Sequence, residues 1–90
     1  MAVKSRLQIM NIKGLHARAS AKLVEVVERF DARATVSKDG LDASGDSIMG
    51  LLMLAASKGT YIDVETTGPQ AEELSRALAE LVADKFGEGD

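Results

Sequence analysis

The sequence predicts an α+β domain. Four short strands form an antiparallel sheet, and three helices cover one face, in the order β-α-β-β-α-β-α. Three observations carry the prediction. Apolar residues alternate with polar ones in four short runs, as in strands with one buried face. Three other segments switch to helical spacing. Turn residues punctuate the junctions, above all the pair Asp39-Gly40.

Along residues 3–9, Val3, Ser5, Leu7 and Ile9 point one way and Lys4, Arg6 and Gln8 the other, which gives the first strand. Residues 11–14 are a loop. From Ala17 to Phe30 the period changes, with Leu23, Val26, Val27 and Phe30 on one helical stripe and Lys22, Glu25 and Arg29 opposite. Ala32, Ala34 and Val36 alternate with Arg33, Thr35 and Ser37 in the second strand. Asp39-Gly40 turns the chain into a short third strand carrying Leu41 and Ala43. Gly45-Asp46-Ser47 is a helix start, with Asp46 or Ser47 as cap. Ile48, Leu51, Leu52 and Ala55 make that helix's core stripe, Met49 and Met53 lie beside it, and Lys58-Gly59 ends it. Thr60, Ile62, Val64 and Thr66 alternate with Tyr61, Asp63 and Glu65 in the fourth strand. Gly68-Pro69 opens the last helix, whose buried face is Leu74, Leu78, Leu81 and Val82. The tail GEGD should fray.

Composition narrows the function. At 90 residues the chain makes one domain with a modest core. Hydrophobic residues are 46% of it, but there are only two Phe, one Tyr and no Trp, so the core is aliphatic and no base-stacking platform can be built. The net charge of −3 argues against nucleic-acid binding. Without cysteine there is no disulfide, no thiol chemistry and no thiolate zinc site, and one histidine cannot make a His-rich metal site. No cofactor is implied. No long apolar run marks a membrane span or a signal peptide, so a cytoplasmic protein is expected.

The single histidine stands in the stretch GLHARAS, residues 14–20, at the junction of loop and first helix. A helix start exposes backbone N–H groups without intrahelical partners, and the macrodipole adds partial positive charge there. Such a place suits phosphate. A neutral imidazole is a nucleophile toward phosphorus, and its product is a labile phosphoramidate. The N–H groups of the first turn, from Ala17 on, could hold that group's oxygens, and Arg18 offers a positive fork within reach. This is the chemistry of a phosphoryl carrier. The plain alternative is an incidental surface histidine near a cap.

GLHARAS resembles the active-site signature of HPr, the histidine-containing phosphocarrier family of the bacterial phosphoenolpyruvate phosphotransferase system. SIMGLLMLAASKG, residues 47–59, looks like that family's regulatory serine, short helix and following turn. IDVETTGPQAEE, residues 62–73, is similar to the nitrogen-branch member, NPr. The resemblance spans residues 1–90 as one HPr-like domain. It implies an open-faced β-sandwich, a phosphoryl group on Nδ1 of His16, and assistance from Arg18. It implies enzyme I as donor, an A-type phosphotransferase domain as acceptor, and a regulatory role besides transfer. Ser47 matches the serine that an HPr kinase/phosphorylase modifies in some bacteria. A monomer is expected. Two positions depart from the pattern: Ala19 replaces the usual proline, which should loosen the first turn slightly, and Ser20 replaces alanine. Glu25 and Glu28 stand where some sugar-branch carriers have lysines that dock partners.

Other residues have simpler readings. Ser47 is at least an N-cap. Ile48, Met49 and Met53 are expected to form an apolar docking patch beside His16, since methionine adapts to several partners. Asp63 and Glu65 are an exposed strand face rather than a carboxylate pair, and Glu72, Glu73 and Glu80 a solvated helix face. Two other functions compete with a carrier. One is a regulatory interaction module controlled by serine phosphorylation, which would need neither His16 nor Arg18. The other is a small-molecule sensor of ferredoxin-like type, for which the sequence offers no Gly-rich or aromatic pocket.

Overall fold

The structure, a computed structural model, describes residues 2–87. The element order is the expected one: β1 (Ala2–Gln8), α1 (Ala17–Glu28), β2 (Arg33–Lys38), β3 (Leu41–Ser44), α2 (Ile48–Met53), β4 (Tyr61–Thr67) and α3 (Ala71–Ala83). A single tight turn, Lys85–Gly87, follows. Apart from Gly87, the tail expected to fray lies outside the described residues.

The four strands form one sheet in the order β1-β4-β2-β3, antiparallel throughout. Its register follows from the alternation. Ser5 pairs with Val64, Leu7 with Ile62, and Val64 again with Val36, so the inward residues of three strands line up under the helices. Ile62, Val64 and Thr66 are buried on the central strand β4, while Tyr61, Asp63 and Thr67 face solvent. Asp39 and Gly40 both take positive φ, 51° and 83°, the geometry that a two-residue hairpin needs. Beyond that turn Leu41 is exposed, because β3 is a short edge strand that the helices do not cover at this end.

Helix α3 packs on β1 and β4, α1 packs on α2 and α3, and α2 rests against β3. The buried face of α1 is Ala19, Ser20, Leu23, Val24 and Val27. Val26 and Phe30, expected inside, are only partly buried. The helix is rolled toward its small residues because these let it approach α2 and the preceding loop. On α3 the expected Leu74, Leu78 and Val82 are buried, and Leu81 partly. Pro69 stands outside that helix, one residue before its N-cap Gln70.

Helix α2 is shorter than its spacing predicts. It ends at Met53, and the chain reaches Gly59 through non-helical backbone. Of the expected core stripe only Leu51 is buried. Ile48 and Ala55 are exposed and Leu52 is intermediate, while Leu54 and Ala56 are buried in their place. The cause is Ala55, which adopts φ 51° and so turns the chain out of the helix.

Phe86 lies in this C-terminal turn and is the largest fully buried side chain among the described residues, 0% exposed. Lys85 and Phe86 both have positive φ, which folds the turn back under α1 and α3. Lys22 of α1 donates to the Phe86 carbonyl at 2.6 Å and fastens it there.

Candidate functional site

His16 is the N-cap residue of α1, with φ −78° and ψ −176°. Its extended backbone lets its carbonyl accept the first helical hydrogen bond, from Ser20 N–H at 2.8 Å. The cap is made by backbone, with no capping bond from the imidazole. His16 is half-buried, Ala17 and Arg18 are exposed, and Ala19 and Ser20 are buried. The helix therefore turns its inner side to the core and presents its first turn outward. That turn carries no acidic side chain, so nothing in it opposes an anion at the positive end of the helix.

The backbone on the N-terminal side of His16 is tightly held. Leu15 is buried, and its N–H donates to Ala56 O at 2.8 Å. Gly14 has φ 64°, and a Cβ there would sit 2.3 Å from the same Ala56 oxygen. Only glycine permits both the conformation and the approach. Asn11 is fully buried and donates through Nδ2 to Gly14 O at 2.8 Å. Ser20 donates through Oγ to Leu15 O at 3.3 Å. Further back, Gly59 N–H donates to Ile9 O at 2.7 Å and Ile9 N–H to Thr60 O at 2.8 Å. Two loops are thus stitched together on either side of residues 10–14.

Asn11 and Ser20 are contributions that the sequence reading missed. Both read as ordinary loop and helix polar residues. Their bonds run to backbone carbonyls that only the folded loop brings near. Ser20 tethers the loop to the first turn of α1.

Helix α2 supplies the surroundings. Ser47 is its N-cap and accepts from Gly50 N–H at 3.0 Å, so the capping role stands. Asp46, the other candidate cap, instead accepts a hydrogen bond from Ser44 Oγ at 2.6 Å. Met49 and Met53 are 70% and 75% exposed and Ile48 39%. The far end of α2 leads through Ala56 to the joint with Leu15. A helix of six residues is about 9 Å long, so Ser47 begins α2 at the end remote from that joint and Met53 lies at the near end. Met10 and Ile12, also exposed, add apolar surface in the loop that leads to His16. They were not anticipated, because a turn-rich stretch gives no periodicity by which to judge a single apolar residue.

Glu25 and Glu28 are exposed on α1. Asp63 is engaged elsewhere. Arg6 donates from Nε at 2.9 Å, and this hydrogen bond, helped by the positive charge, holds the Asp63 carboxyl below its usual value. The pair is exposed on the open face of the sheet, remote from α1. No group of three or more metal-ligating side chains occurs among the described residues. None of their helices is long and apolar enough to cross a membrane.

These features meet a known pattern. Residues 3–84 match a model of the family described as PTS-HPr, "PTS HPr component phosphorylation site". The chain belongs to the HPr family. It is 46% identical over 88 residues to the phosphocarrier protein HPr of Neisseria meningitidis serogroup A, an alignment covering 98% of this chain and 99% of the relative. To the phosphocarrier protein NPr of Escherichia coli K12 it is 43% identical over 89 residues, with the same coverage. The crystal structure of an HPr from Thermoanaerobacter tengcongensis superposes with a TM-score of 0.91 at 35% identity, covering 96% of this chain and 97% of that one. This HPr-family protein is a phosphocarrier of the phosphotransferase system, with the α+β, four-stranded architecture of its relatives.

Proposed function

We propose that His16 is the residue that carries the phosphoryl group. In this reading enzyme I, charged by phosphoenolpyruvate, is the donor and an A-type phosphotransferase domain the acceptor. The observation that carries it is the position of the chain's only histidine, as the half-exposed N-cap of an outward-facing helix turn free of acidic side chains. In the first step the lone pair of Nδ1 attacks phosphorus. The N–P bond forms as the bond to the donor breaks, and the donor keeps that electron pair. The backbone N–H groups of Ala17 and Arg18 are not consumed by the helix and can donate to the phosphoryl oxygens. Arg18, exposed beside them, supplies charge and a planar fork. Transfer to the acceptor reverses the step on a new partner. The group must leave as readily as it arrives, and a few donors on an open surface suit that better than an enclosed pocket. Ile48, Met49 and Met53 serve as docking surface, joined by Met10 and Ile12, and Ser47 is the regulatory position at its edge, open to an HPr kinase/phosphorylase.

The test is incubation with enzyme I and labelled phosphoenolpyruvate. Wild type should take up one acid-labile, base-stable label, and His16→Ala none while keeping its circular-dichroism spectrum. Uptake of acid-labile label by a folded His16→Ala would refute the assignment.

A further inference from the structure

Ala55 is exposed, makes no part of the core, and yet holds φ 51°, a region that costs free energy for any residue with a Cβ. It occupies the position after a helix where glycine or asparagine is usual. Its neighbours on both sides, Leu54 and Ala56, are buried. The left-handed turn at Ala55 ends α2, puts both flanking side chains inward, and aims the Ala56 carbonyl across to the loop before His16. That carbonyl accepts the Leu15 N–H at 2.8 Å and is the atom against which Gly14 packs. Leu15 is the residue before His16.

We infer that Ala55 is a positioning residue for phosphoryl transfer: its left-handed backbone holds the Ala56 carbonyl where it fixes the Leu15–His16 peptide, and so the imidazole. The inference rests on the reading of His16 as the phosphoryl-bearing residue. It adds a residue from just beyond the end of α2 that acts through backbone conformation alone. The side chain of Ala55 has no role in it, so the ranking of substitutions follows tolerance of positive φ and not size or polarity.

The test is a series, Ala55→Gly, Ala55→Asn and Ala55→Val. Glycine and asparagine accept positive φ, whereas for a β-branched residue it is an outlier. Two quantities are read on each: amide hydrogen exchange at Leu15 relative to Leu23 in the core of α1, and kcat and KM for the carrier in the enzyme I reaction. The glycine and asparagine variants should stay within about twofold of wild type in both. The valine variant should exchange Leu15 about tenfold faster relative to Leu23 and lose about tenfold in kcat with KM little changed. Three results overturn the inference: valine matching wild type; asparagine and glycine falling as far as valine, which would put the effect in the side chain; or Leu15 exchange following the series while kcat does not. Failure of the His16 reading is distinguishable, because it shows as labelling of His16→Ala, whereas Leu15 exchange reports the joint whatever residue carries phosphate.

Discussion

Gly14→Ala tests whether the backbone joint before His16 is what holds the site. Two costs add. A residue with a Cβ at φ 64° costs about 1–2 kcal/mol. The new methyl would also lie 2.3 Å from Ala56 O and 2.9 Å from Ser57 Cα. Both are backbone atoms that cannot rotate aside, so the loops must part and the bond from Leu15 N–H is lost, at about 1–2 kcal/mol for a buried donor. The total is about 2–4 kcal/mol, a large part of the roughly 5–13 kcal/mol expected of a chain this size. The midpoint of thermal unfolding should fall by about 10–25 °C. Gly40→Ala is the control. Gly40 also has positive φ, 83°, but a Cβ there meets nothing within 4 Å, so only the backbone term of about 1–2 kcal/mol applies. Urea unfolding of both variants gives the difference directly. Transfer from enzyme I, measured well below either midpoint, should be slowed in Gly14→Ala and unaffected in Gly40→Ala. Equal destabilisation by the two substitutions would mean that the loops part at no cost, and the account of the joint would fail.

Arg18→Ala should slow transfer about 10–100-fold, the loss of one charge-assisted contact, with stability changed by less than about 0.5 kcal/mol at an exposed position; Arg18→Lys should recover part of the rate, and wild-type kinetics in Arg18→Ala would remove this residue from the site. Ser47→Ala loses the bond to Gly50 N–H and should cost about 1 kcal/mol in urea unfolding. Ser47→Asp keeps a cap and should raise the KM for enzyme I with little change in melting temperature, whereas an unaltered KM would leave Ser47 a cap only. Phe86→Ala empties a fully buried site and should cost about 3–5 kcal/mol, while transfer, assayed where the variant is still folded, stays near wild type; a loss below about 1 kcal/mol would show that the C-terminal turn is not part of the core.

The strands were legible because each has one wet face, and alternation records that directly. Ile62, Val64 and Thr66 against Tyr61, Asp63 and Glu65 give the strand and its buried face, with only Glu65 half-buried on the outer side. Asp39-Gly40 and Ser47 were legible because their roles are local: a turn and a cap need only neighbours in the chain. His16 and Arg18 stood out for the same reason. The end of α2 was not legible. Ala55 and Ala56 are good helix formers at helical spacing, and the positive φ at Ala55 that ends the helix goes together with a hydrogen bond to Ala56 from Leu15, forty-one residues earlier in the chain. Phe86 was missed because one aromatic after the last helix makes no pattern. Asn11 was missed because burial of a loop amide depends on the turn it bridges.

The residues that touch phosphate, on the proposed reading, are contiguous and local, so a short motif can announce them. The residues that hold them in place lie around them: Ala56 beyond the end of α2, Asn11 in the preceding loop, Ser20 at the close of the first turn of α1. All three act on backbone atoms of Gly14 and Leu15. That division has a physical consequence. A carrier must fit a donor and then an acceptor, so on the proposed reading its contact surface gains from side chains that adapt, such as Met49 and Met53. Its reacting nitrogen gains from the opposite, since effective orientation depends on small displacements. Fixing the His16 backbone from behind satisfies both demands. On that reading, changes in the apolar surface should alter which partners dock without moving the imidazole, and changes at Gly14 or Ala55 should move the imidazole without altering the surface.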